Sequence, residues 1–304
     1  MSPTPSRSGR TARSHRGIRA PLPDVVIAFR LAARSRYLLQ DALHELAPMR
    51  VSVEFDECSS FLSSHHLSAL VVQVPAWSDS EELSPLLELR RQFPFVPMLG
   101  MYTAQGSDLG AVARLGSVGV QHVVTTDPPA RPELIRALLS SGYKESVVNR
   151  VWRMASLMVA DPVATVLRPA VRLAHSPVTL PQLAAEKRMH ERSLRKYCEN
   201  HGLPSPQWII GWARTLVIAY YLEEPGRSVK SIAELLGFPS PALLANHLRR
   251  YTGRTASDLR RDAPLSTVAR LLESSLMPFS LVHRTTGRDP EARSTSSWYS
   301  GDRH

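Results

Sequence analysis

A chain of 304 residues has room for two domains, each with its own core, and 43% hydrophobic with 21% charged residues is globular rather than disordered or fibrous composition. Cys58 and Cys198 are the only cysteines, which excludes a disulfide framework and suits a reducing compartment. The net charge of +10 is uneven: +5 over residues 1–20, −4 over 21–143, +3 over 144–176, +5 over 177–262 and +1 from 263 onward, so the second half of the chain is expected to meet a polyanion and the first is not.

Residues 1–23 are rich in Ser, Arg, Thr and Pro without an apolar period, and are expected to be a disordered basic tail without the apolar segment of a signal peptide. From Asp24, strands are predicted at Val25–Phe29, Val51–Phe55, Ala69–Val74, Val96–Tyr102 and Val120–Thr125, with helices near 34–46, 58–64, 80–92, 107–116 and 131–142. Short apolar strands alternating with helices indicate a parallel sheet covered on both faces, so residues 24–143 are assigned to the α/β class as a flavodoxin-like doubly wound domain. Residues 144–160 read as a connecting helix, with Val147, Val148, Val151, Trp152 and Ala155 on one face. Asp161–Pro162 opens an all-α region ending near Asp262, and residues 263–304 are expected to be a mostly disordered tail. The most apolar long stretch, Trp208 to Leu222, is too short to span a bilayer and carries Arg214, so a cytoplasmic protein with no membrane partner is expected.

The strongest signal is an internal repeat about fifty residues apart. One copy runs from Leu180 through Leu183, Ala184, Met189, Leu194 and Cys198 to Gly202; the other runs from Val229 through Ile232, Ala233, Phe238, Leu244 and Leu248 to Gly253. Each has a small Ala where two helices would cross, a short turn ending in an apolar plug, and two apolar anchors at i and i+4 on the next helix. That is the layout of a helix-turn-helix, whose second helix offers its outer face to a DNA groove. Between the copies, Ile209, Trp212, Ala213, Leu216, Val217 and Tyr220 make the apolar face of a helix that can hold the two units apart. A spacing near 34 Å would let the two recognition helices enter successive major grooves.

These residues, best in Ser231-Ile232-Ala233, Gly237-Phe238, Gly253-Arg254-Thr255 and Leu259-Arg260, resemble the AraC/XylS family of bacterial transcription regulators over residues 161–262. The resemblance implies a sequence-specific regulator of double-stranded DNA, an activator or dual regulator, with RNA polymerase as a further partner. It also implies base or phosphate contacts for Arg192, Arg195 and Lys196 on the first recognition helix. Arg can grip guanine O6 and N7 in a bidentate manner, and Lys reaches the same acceptors. On the second recognition helix the outward residues are Ser240, Pro241, Ala242, Leu243, Ala245 and Asn246, with Arg249 and Arg250 following to clamp the backbone. Asn suits adenine, while Ala and Leu can meet only a thymine methyl. Base discrimination is therefore expected mainly from the first unit. An exposed apolar helix face also motivates an alternative: a partner-binding protein whose DNA domain is weak or non-specific.

The α/β region resembles a response-regulator receiver domain. Receivers hold Mg²⁺ with acidic residues after the first strand and take phosphate on an Asp after the third, but here the first strand ends Ala28-Phe29-Arg30 and the third ends Val72-Gln73-Val74-Pro75. Thr103 stands where a receiver's hydroxyl would be, and Thr125-Thr126 replace the basic residue expected after the fifth strand. Phospho-relay is not expected; a regulatory role or homodimerisation through this domain is. His65-His66 reads as a polar surface turn, and no nucleophile motif, metal ligand set or cofactor loop is present, so neither catalysis nor a cofactor is expected.

Overall fold

In a computed structural model the described residues are 22–44, 46–65, 68–73, 80–103, 109–224 and 226–285. The basic tail up to residue 21, His66, Val74, Pro75 and residues 286–304 lie outside them.

The first half alternates strand and helix: β1 (Val25–Phe29), α1 (Ala33–Leu43), β2 (Met49–Ser52), α2 (Phe55–Ser64), β3 (Ser68–Gln73), α3 (Ser80–Gln92), β4 (Met98–Tyr102), α4 (Leu109–Ser117) and β5 (His122–Thr125). The strands form one parallel sheet in the order β2-β1-β3-β4-β5, the flavodoxin-like doubly wound arrangement. All five residues of β1 are buried because both faces are covered. Val25, Ile27 and Phe29 meet α2, α3 and α4, whereas Val26 and Ala28 meet α1 and the next helix, α5 (Pro132–Ala155). β2 corrects the predicted strand at 51–55. Pairing of Met49 with Val26 starts the strand earlier, and Phe55 already begins α2. Val51 and Val53 are exposed there, so edge strand β2 lacks the two-sided burial that marks its neighbours in sequence.

α5 merges two helices predicted separately at 131–142 and 144–160. Its Ile135 and Leu139 pack in the sheet core, while Tyr143, Val147, Val148, Val151 and Ala155 pack in the core of the helical half. There follow α6 (Asp161–Leu173), α7 (Leu180–Glu186), α8 (Glu191–Asn200), α9 (Pro206–Leu222), α10 (Val229–Leu235), α11 (Pro241–Thr252), α12 (Ala256–Arg260) and α13 (Pro264–Thr285). α9 is the central member, buried at every position from Ile209 to Leu222. α13 corrects the expected disorder after residue 263, at least as far as Thr285. Leu265, Val268, Ala269, Leu272 and Leu276 form a helical stripe buried in the same core, and Phe279 stacks at 5.9 Å from Trp208 of α9. The two halves also meet where Asp24, entering β1, pairs with the guanidinium of Arg227 ahead of α10.

Candidate nucleic-acid interface

The repeat in sequence is a repeat in backbone geometry. In α7–α8 the Lys187 N–H donates to Leu183 O at 3.1 Å and the Met189 N–H to Ala184 O at 2.9 Å; in α10–α11 the Leu236 N–H donates to Ile232 O at 3.0 Å and the Phe238 N–H to Ala233 O at 2.8 Å. Both turns need a left-handed residue at the same place, Arg188 with φ 53° and Gly237 with φ 68°. Ala184 and Ala233 are buried at the crossings, and the anchors Leu194, Cys198, Leu244 and Leu248 are buried beneath the second helices. Burial, with Glu199 beside it, pushes the Cys198 thiol up to about 11, as befits a packing residue rather than a nucleophile.

Burying those anchors turns the remaining positions outward. Arg192, Arg195 and Lys196 of α8 are exposed, with Arg195 held loosely by Glu191 one turn earlier at 3.7 Å. On α11 Ala242, Leu243, Asn246, Arg249 and Arg250 are exposed. Ser240 is half-buried and acts as N-cap, its hydroxyl accepting the Leu243 N–H at 3.3 Å. That bond uses an oxygen lone pair and leaves the hydroxyl proton as donor. The first surface is thus cationic, and the second begins apolar and becomes cationic at its C-terminal end.

Residues outside the outward set fasten α11 to α9. Arg214, buried in α9, donates to Ser176 O at 2.5 Å and Leu236 O at 3.0 Å, with its guanidinium 4.3 Å from the Phe238 ring centroid. One side chain therefore ties the end of α6 to the turn of the second unit. Burial lowers its pKa to about 10, which leaves it charged at neutral pH. His247 Nε2 lies 3.2 Å from Gly211 O and 3.0 Å from Thr215 Oγ1, and the Thr215 hydroxyl itself donates to Gly211 O at 2.8 Å. Burial foremost, then the nearby Arg214, holds the His247 pKa down at about 4. Gly211 makes room for the Tyr251 ring: a Cβ on it would lie 1.8 Å from the Tyr251 hydroxyl, so a larger residue requires that ring to move. An arginine inside an otherwise apolar helix was the visible signal for this fastening; the roles of Gly211, Thr215 and His247 depend on contacts over thirty residues away in sequence.

At the carboxyl ends of the sheet strands, Gln73 is buried, its side-chain oxygen accepting from the Ser35 hydroxyl at 2.5 Å and the Ala32 N–H at 3.3 Å. Thr103 and Thr126 share a hydroxyl–hydroxyl bond at 2.9 Å. Gln73 at the end of β3 and the threonine pair after β4 and β5 are thus engaged by neutral groups, and next to them in sequence Arg34 pairs with Asp127 at 3.5 Å.

Residues 183–262 match the family described as a helix-turn-helix domain, of the AraC type, a span that begins within α7 and includes all of the second unit. No curated protein matches the chain. Among solved structures, full-length FixJ from B. japonicum is 14% identical with a TM-score of 0.34, the match covering 62% of this chain and 95% of that one. The response regulator StyR is likewise 14% identical, with a TM-score of 0.32 and coverage of 62% and 96%. Among the described residues no helix is long and apolar enough to cross a membrane.

Proposed function

We propose that this DNA-binding transcription regulator reads a specific duplex sequence by seating α8 and α11 in successive major grooves. The observation that carries the proposal is the duplicated turn. Two helices with matching turns and matching buried anchors are fastened to one central helix, as a reader of two adjacent groove segments requires. Arg192, Arg195 and Lys196 then contact guanines or nearby phosphates, Ser240, Ala242, Leu243 and Asn246 face the second groove segment, and Arg249 and Arg250 grip the backbone. The sheet domain regulates or dimerises and does not take phosphate. In support, the position after β1 is Arg30 and the end of β3 is Gln73, already engaged by Ser35. Activation through RNA polymerase and pairing of two chains through the sheet domain belong to the same reading.

The test is selection of bound duplexes from a random library with the full chain. Competition between the selected duplex and an unrelated one at a single salt concentration follows. A preference of a thousandfold or more is expected; equal competition would instead favour a partner-binding protein with a non-specific DNA domain, the reading to which exposed Leu243 lends itself. Incubation with acetyl phosphate should leave no stable acyl phosphate on the sheet domain.

A further inference from the structure

The opening turn of α11 exposes three consecutive apolar residues, Pro241, Ala242 and Leu243, with Leu243 48% accessible. The burial of Leu244 and Leu248 fixes that orientation, so Leu243 cannot turn inward without lifting its neighbour from the core. Asn246 is exposed one turn later, and exposed Arg249 and Arg250 follow. An apolar surface followed by cations on one helix is complementary to a groove floor carrying methyl groups between two phosphate walls. The site also occupies the place in its unit that the cationic face of α8 occupies in the other.

From this arrangement we infer that the second unit reads A·T pairs, through thymine 5-methyl groups against Leu243 and Ala242 and through an adenine edge bonded to Asn246, whereas the first unit reads guanine. Thymine alone among the four bases carries a methyl group in the major groove, beside its O4 acceptor, and an aliphatic side chain recognises that methyl by excluding water from both surfaces. Asn can donate to adenine N7 while accepting from its N6 amino group. The inference rests on the reading of α8 and α11 as groove-facing helices.

The experiment takes the duplex selected by the full chain and replaces thymines by deoxyuridine, which removes the methyl and nothing else, in one half of the site at a time. In the half covered by α11, each contacted methyl removed should weaken binding about fourfold, the value of one buried carbon; the same replacement in the other half should leave binding unchanged. Leu243→Ala, at an exposed position and checked by thermal melting, should lose most of the wild-type preference for thymine over deoxyuridine, keeping only the part that Ala242 contributes. A selected duplex that binds wild type equally well with thymine or deoxyuridine throughout would overturn the methyl reading while leaving sequence recognition intact. Selection that enriches no sequence would bring down both.

Discussion

The two helix-turn-helix units share an interior and differ in everything outside it. Both cross at a buried Ala, both bend through one left-handed residue and both hang their second helix from two buried anchors. Yet α8 presents Arg192, Arg195 and Lys196, and α11 presents Ala242, Leu243 and Asn246. The interior is constrained because close packing penalises any change of volume, while a solvated outer face contributes little to folding and is free to specialise. The units also differ in attachment. The second has the guanidinium of Arg214 under its turn and His247 bonded to the backbone of α9, whereas the first is shaped by a capping box in which Thr179 and Gln182 exchange bonds at the start of α7.

The sharpest way to break that asymmetry is Arg214→Met. It leaves the carbonyls of Ser176 and Leu236 without their charged donor and removes the stack on Phe238. Unfolding free energy should fall by about 3 kcal/mol or more in urea titration; a loss below about 1 kcal/mol would show that the second turn stands without this fastening. Next is Gly211→Ala, which drives a Cβ into Tyr251 and should cost about 1–3 kcal/mol through overpacking. Combined with Tyr251→Ala it should cost less than the two single changes added together, a coupling that a double-mutant cycle reads directly.

The outer faces are compared by affinity. Arg192→Ala should lose about 1–3 kcal/mol of binding to the selected duplex and relax its preference. Asn246→Ala should lose less, and the reverse order would move the burden of recognition to α11. Smaller still is the exchange at the two turns. Arg188→Gly removes a side chain from a left-handed backbone and Gly237→Ala places one there, so the first should stabilise and the second destabilise by roughly 1 kcal/mol.

Acid probes the buried histidines. His175 and His247 are held neutral by burial, with pKa values of about 3 and about 4 against an ordinary 6.5. The unfolded chain takes up protons first, so the contribution is complete above pH 6.5 and drains away as pH falls toward those values. The urea midpoint should therefore decline between pH 7 and pH 5, and His247→Gln should make that decline shallower.

What the sequence disclosed follows from where each signal is written. Val25–Phe29 was legible as a strand because two-sided burial makes it continuously apolar, and Leu194, Cys198, Leu244 and Leu248 because anchors repeat at helical spacing. β2 was displaced because it lies at the sheet edge, where exposed Val51 and, just past its end, exposed Val53 imitate buried strand residues. α13 was hidden for a different reason. Its stripe from Leu265 to Leu276 is helical in period, but Ser266, Thr267, Arg270, Glu273, Ser274 and Ser275 take most of the remaining positions and give the segment the composition of a tail. The outward candidates follow once the anchors are known. The fastening residues do not, because Gly211 and Tyr251, or Arg214 and Leu236, become neighbours only in the folded chain.

The uninterrupted α5 has a mechanical consequence. Its 24 residues make a rod of about 36 Å, rooted at one end in the sheet and at the other in the helical bundle. A slack tether would dissipate any displacement of the sheet, whereas a rod delivers it to the bundle as tilt or twist. Free energy passes along such a shaft both ways. A ligand of the sheet domain that tilted α5 would change the affinity for duplex, and duplex would then change the affinity for that ligand by the same factor.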